Sequence, residues 1–213
     1  MKMKPVLALA FLMLCLALTA QVEVTGLLTE NMTEPVGIDA ARPRFSWQLL
    51  SDKRNTLQTA YELRVSGRTK TVWNSGIVNS DQSVHVLYAG EPLRSGRDYN
   101  WQVRVWINGG KRSAWSPMAK FRTGMLDGSG WKAKWIEPGY AEDSVMRPSP
   151  MMRKEFTVKG KIIRATAYIT AHGIYEAELN GKRIGDAFLT PGWTSYGKRL
   201  QYQAYDVTPM LRS

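Results

Sequence analysis

The sequence predicts an all-β chain built from two successive β-sandwich units. Three observations carry that prediction. Apolar residues alternate with period two over short runs from Val22 onward, Gly, Asn and Pro turn signals separate the runs, and no ten-residue stretch beyond the first twenty has a helical period.

The first twenty residues stand apart. Lys2 and Lys4 form a basic start, Val6 to Leu18 are unbroken apolar residues, and Thr19-Ala20 precede the polar Gln21. This order predicts a secretory signal peptide over 1–20, cut after Ala20, and export to the periplasm or cell surface. The apolar run is too short for a helix across a bilayer core of roughly 30 Å, so no membrane insertion is expected after cleavage. The small-x-small cleavage rule is half met, since Leu18 occupies the outer position. A lipid-anchored alternative uses Cys15, but Leu14 stands where a small residue is expected. Cys15 is the single cysteine, so the mature chain is expected to hold no disulfide and no thiolate-bound metal. About 190 residues remain, enough for one large domain or two small ones.

Between residues 22 and 124 the alternation is clear. Phe45, Trp47 and Leu49 share one strand face, as do Tyr61, Leu63 and Val65, and then Tyr99, Trp101, Val103, Val105 and Ile107. Each set marks a half-buried strand. Asn55, Asn74-Ser75-Gly76, Gly90-Glu91-Pro92 and Ser95-Gly96 punctuate them, and Asn108-Gly109-Gly110 is a hairpin turn. The run Leu93 to Tyr99, followed by Trp101 to Val105, resembles the corner and sixth strand of a fibronectin type III domain. That resemblance implies that the Tyr99 hydroxyl turns back to the upstream backbone. Ser113-Ala114-Trp115-Ser116 and Phe121 to Gly124 resemble the same family's last hairpin and strand.

Residues 125–130 are rich in glycine and lack periodicity, which makes them a linker. A second unit is expected over 131–213. It opens at Trp131-Lys132-Ala133-Lys134-Trp135-Ile136, crosses an unpatterned loop at 141–150, and resumes alternation at 153–158, 162–170 and 174–179, with Asn180-Gly181 as a turn. Together with Leu189 to Tyr196 and Arg199 to Thr208, this series resembles the N-terminal β-sandwich of bacterial α-L-rhamnosidases, glycoside hydrolase family 78. The expected fold is therefore a fibronectin-III-like sandwich followed by an incomplete jelly-roll-like β-sandwich. The resemblance implies an inverting hydrolysis of terminal α-L-rhamnose performed by an (α/α)6 barrel, to which nothing in this sequence corresponds. Inversion requires two carboxylates roughly 6.5–9.5 Å apart across the scissile bond, and no catalytic residue carries over.

The local constellations agree with a non-catalytic reading. Glu176 and Glu178 lie two apart on a strand and so share one face, which suits solvent better than an acid–base pair. His85 and His172 are the only histidines and are far apart in sequence, so each reads as structural. No nucleophile elbow, phosphate loop, calcium loop or metal-ligand spacing occurs, and no cofactor is expected. Asn180, Trp193 and Tyr196 are the candidate carbohydrate contacts, because they sit in turns and loops at one end of the second sandwich. The structural alternative has Trp193 packed beneath its loop and Asn180 merely forming the turn. The net charge is +11, of which Lys2 and Lys4 supply two, leaving +9. These cations are scattered singly or in pairs rather than run together, so a nucleic-acid partner is not expected. The expected partner is a rhamnose-containing glycan. The rival reading is a free-standing carbohydrate-binding or adhesion module, and a third is a basic surface for an anionic polysaccharide.

Overall fold

The computed structural model describes residues 22–211 except Glu142 and Arg147, so the expected signal peptide at 1–20 lies outside the described residues. The described chain is all-β, with no α-helix, and it divides into two compact units between Thr123 and Gly124.

Unit 1 holds eight strands in chain order: β1 (Glu23–Thr29), β2 (Val36–Ile38), β3 (Arg44–Leu50), β4 (Gln58–Ser66), β5 (Thr71–Asn74), β6 (Val86–Leu87), β7 (Asp98–Ile107) and β8 (Ala119–Thr123). They form a three-stranded sheet, β1-β3-β6, and a five-stranded sheet, β2-β8-β7-β4-β5. Every pairing is antiparallel except β2 with β8, where Val36 faces Arg122 in parallel. Period-two alternation delivers the core as expected. Phe45 and Trp47 on β3, Leu63 and Val65 on β4, and Trp101, Val103 and Val105 on β7 are all buried. Phe45 is central, with ring centroids 4.7 Å from Trp101 and 5.8 Å from Phe121. Such aromatic contacts add to the free energy of burial.

Buried polar atoms in this core find partners, as low dielectric demands. The Trp101 indole donates to Thr29 Oγ1 at 3.0 Å, and the Trp47 indole donates to Gln58 Oε1 at 3.0 Å. Gln58 then donates its own amide to the carbonyls of Ser80 and Gln82. The Tyr99 hydroxyl accepts from the Arg94 backbone N–H at 2.9 Å, which is the corner that the resemblance implied. The Asn108 turn closes with Ile107 N–H on the Lys111 carbonyl, and Gly109 and Gly110 take the positive φ values.

Several residues of unit 1 depart from simple alternation, Ser46, Glu62 and Arg122 among them. Glu62 points to the outer face of β4 yet is only 6% exposed. Arg104, opposite it on β7, donates through Nε at 2.7 Å. The same guanidinium lies 4.5 Å over the Trp115 ring, which also receives Arg64 at 4.7 Å. The acid is thus neutralised and covered by a stack of alternating cations and indole.

Unit 2 contains β9 (Thr166–Ile169), β10 (Glu178–Leu179), β11 (Lys182–Arg183) and β12 (Gln203–Asp206), with single 3-10 turns at Gly128–Gly130 and Thr208–Met210. β9 pairs with β12 and β10 pairs with β11, both antiparallel. The strands expected at 131–136 and 153–158 are absent; both segments are unladdered, and all six residues of the latter are exposed. Alternation sets which side chains share a face but supplies no hydrogen-bonding neighbour, and among the described residues none pairs with them. The expected runs at 162–170 and 174–179 shrink to β9 and β10 for the same reason.

Candidate functional site

The three candidate contacts of unit 2 fall in different surroundings. Asn180 and Gly181 take φ of 54° and 74°, the pair of positive values that a two-residue hairpin turn needs. The Asn180 amide donates to the Met210 carbonyl at 2.8 Å, so this side chain fastens the β10–β11 turn to the 3-10 turn at 208–210. Trp193 is 92% exposed, against the expectation that it could pack beneath its loop. Tyr196 is half-buried and stacks on His172, with centroids 5.5 Å apart and planes 26° apart. Among the described residues, no hydrogen bond or ring contact joins Asn180 or Trp193 to Tyr196.

The loop that carries Tyr196 is built from below. The Tyr175 backbone N–H donates to the Thr190 carbonyl in an isolated bridge, and the Thr190 hydroxyl donates to the Tyr175 carbonyl. The Tyr175 hydroxyl donates to Gln203 Oε1 at 3.0 Å, and Gln203 in turn donates its amide to the Pro191 carbonyl at 2.9 Å. Burial, followed by the neighbouring Tyr205 hydroxyl, pushes the Tyr175 phenol above its ordinary value. Above this floor the Ser195 carbonyl accepts from the N–H groups of Lys198 and Arg199, and the Thr194 hydroxyl caps the Arg199 carbonyl. Tyr196 therefore projects from a closed turn.

His172 follows β9. Thr170 anchors that segment by donating to the Gln201 carbonyl at 2.6 Å. The imidazole meets Tyr196 and also meets Trp135 edge-on, with centroids 4.6 Å apart and planes 75° apart. Trp135 is 61% exposed. Three rings from three chain segments thus make one exposed aromatic cluster. Tyr196 alone was legible as a candidate; His172 reads in sequence as a structural histidine and Trp135 as a strand residue. The repeated indoles of Trp131-Lys132-Ala133-Lys134-Trp135 were the available signal, but the pairing across 37 and 24 residues is purely tertiary.

Glu176 is exposed and sits 3.5 Å from Arg183, and Glu178 is also exposed. Hydrogen bonding from Arg44 holds Glu30 below the ordinary carboxylate value, and two backbone N–H groups do the same for Asp143. Both displacements oppose what a general acid needs. Among the described residues, no cluster of three or more His, Cys, Asp or Glu could hold a metal, and no helix is long and apolar enough to cross a membrane.

Comparison with known proteins gives each unit a family. Residues 24–127 match the Rha78A-like N-terminal immunoglobulin domain, and residues 160–213 match the alpha-L-rhamnosidase N-terminal domain. An α-L-rhamnosidase of Formosa agariphila is 35% identical over 87% of this chain, which covers 22% of that protein. One from Alteromonas is 34% identical over 85% of the chain and 21% of its own length. The structure of an α-L-rhamnosidase from Dictyoglumus thermophilum superposes with a TM-score of 0.83 at 36% identity, over 89% of this chain and 24% of the other. That of the Aspergillus terreus enzyme gives 0.72 at 30% identity, over 90% and 22%. The chain spans about a fifth of the length of the curated relatives it matches. Through both of its domains, this chain belongs to the α-L-rhamnosidase family and corresponds to that family's N-terminal region.

Proposed function

We propose that residues 22–211 are the non-catalytic N-terminal part of an exported α-L-rhamnosidase-like glycoside hydrolase, whose hydrolysis of terminal α-L-rhamnose is carried by residues outside this span. One observation supports this most strongly: two domains that occur at the start of α-L-rhamnosidases follow one another here in the same order. The scattered, ion-paired or exposed carboxylates support it further, since glycoside hydrolysis needs a matched pair across a sugar. Export rests on the basic-then-apolar start at 1–20. The partner is a rhamnose-containing glycan, with Asn180, Trp193 and Tyr196 as its candidate contacts.

The test is direct. Purified residues 21–213, incubated with 4-nitrophenyl α-L-rhamnopyranoside, are expected to release no 4-nitrophenol above background. Turnover that vanishes on changing one carboxylate within this span would overturn the proposal. The exposed rings around His172 also favour a second reading, a free-standing carbohydrate-binding or adhesion module. That reading predicts glycan binding by this span as its whole activity, with no rhamnoside hydrolysis.

A further inference from the structure

The two sheets of unit 1 differ in charge. The strands of the three-stranded sheet carry a single Lys or Arg, Arg44, and Glu30 neutralises it. The strands of the five-stranded sheet carry Arg64, Arg104, Lys120 and Arg122 against only Glu62 and Asp98. These charged residues alternate with the buried Leu63, Val65, Val103, Val105 and Phe121, so they share the sheet's outer face. Arg112 joins them, bridged to Trp106 beside buried Val105.

Both acids of that face are already occupied. Arg104 holds Glu62, and Arg122 holds Asp98 at 2.7 Å. Among the described residues, Arg64, Arg112 and Lys120 have no carboxylate partner. Arg64 is nonetheless held in place, with its guanidinium 4.7 Å over the Trp115 ring that also receives Arg104 at 4.5 Å. A guanidinium stacked on a ring keeps its N–H edge for an acceptor and loses little freedom when one arrives. On the ladder Arg112 lies opposite Trp106, Arg64 opposite Gln102 and Lys120 opposite Asn100. At about 3.3 Å per residue along β7, the three cations follow one another at roughly 13 Å and then roughly 7 Å.

A row of cations about 20 Å long suits repeated negative charge better than a single anion. We infer that the outer face of the five-stranded sheet docks an acidic polysaccharide, whose carboxylates or sulfates take charge-assisted hydrogen bonds from Arg64, Arg112 and Lys120. Single-stranded nucleic acid suits the face less well, because its bases stack on open rings and Trp115 is covered by two guanidiniums. The face lies within unit 1, and its role does not depend on where rhamnoside hydrolysis is carried.

The test titrates the full chain calorimetrically with polygalacturonate and with dextran sulfate, beside uncharged dextran and single-stranded oligothymidylate. Saturable binding of at least one of the two polyanions is expected, which distinguishes carboxylate from sulfate recognition, and it should fall steeply as salt rises. The triple variant Arg64→Gln, Arg112→Gln, Lys120→Gln is expected to bind at least about tenfold more weakly. A control triple that removes the same charge from unit 2, Lys132→Gln, Lys134→Gln, Lys159→Gln, should stay within about twofold of the parent. Circular dichroism establishes that each variant is folded. Because Arg64 also covers Trp115, the pair Arg112→Gln, Lys120→Gln at exposed positions provides a second measure, with a loss of about threefold or more expected. Absence of saturable polyanion binding overturns the inference, as does undiminished binding in the folded variants. Equal weakening in the two triples overturns it by assigning the effect to net charge. Tighter binding of oligothymidylate, or equal binding of uncharged dextran, overturns it as well, and none of these outcomes bears on the hydrolysis assay.

Discussion

Units 1 and 2 are similar in length and both all-β, yet they store their apolar residues in opposite ways. Every buried Val, Ile, Leu, Phe, Trp, Tyr and Ala among the described residues lies in unit 1, apart from Val207. In unit 2, Ile136, Tyr140, Met151, Phe156, Ile163 and Trp193 are all more than half exposed. Unit 1 sets two sheets face to face, whereas unit 2 has two separate two-stranded ladders. A pair of strands cannot bury an apolar face by itself; a second layer must cover it. The difference shows that alternation becomes a core only where a facing sheet exists.

The contrast is most easily broken by a protease. Cleavage of the full chain by trypsin is expected first within 131–165, at sites such as Lys154 and Lys161, at least about a hundredfold faster than within β4 or β7. Early cuts inside unit 1 would reverse the comparison. Next in size is Trp101→Ala, which removes a side chain 1% exposed and leaves the Thr29 hydroxyl without its donor. Urea unfolding of unit 1 should lose about 3–5 kcal/mol; a loss under 1 kcal/mol would mean that the facing sheets are not the source of stability.

Unit 2 has its own sensitive point. Gly185 has a φ of +75°, and a Cβ there would lie 2.3 Å from Tyr205 Cε1. Gly185→Ala should cost about 1–3 kcal/mol and broaden the NMR resonances of β9 and β12 while unit 1 signals stay in place. Equal disturbance of both units would show that they unfold together. The smallest effect is one of pH. Burial pushes the Tyr88 phenol from 10.0 up to about 12. A phenol kept protonated by folding contributes stability that is complete below pH 10 and is lost as pH rises towards 12. The melting temperature of unit 1 should fall across that window, and Tyr88→Phe should flatten that part of the profile. An unchanged slope in the variant would assign the alkaline loss to other groups.

Legibility followed the same division. The buried faces of β3, β4 and β7 were readable because each strand is long and large apolar side chains recur at every second position along it. The Tyr99 corner was readable because it is local, linking residues five apart. Asn180-Gly181 was readable because two positive φ values restrict which residues fit. Glu62 was not, since its cover comes from Arg104 and Trp115, 42 and 53 residues away. The segments at 131–136 and 153–158 misled because their pattern is that of a strand while their neighbours offer no ladder. The aromatic cluster was one-third legible: a loop tyrosine was evident, but its ring neighbours arrive from distant segments.

The parallel pairing of β2 with β8 has a mechanical consequence. β2 lies near the start of unit 1 and β8 ends at its last residue, Thr123, where the chain leaves the unit. Arg122 donates to the Pro35 carbonyl, and β8 is bonded to β7 on its other side. Tension drawn through the two ends of the unit pulls β2 and β8 in opposite directions along their length. Their bonds then carry the load in shear and together, instead of opening one at a time like a zip. Once β1 has been drawn off β3, unit 1 would resist further extension at this parallel pair.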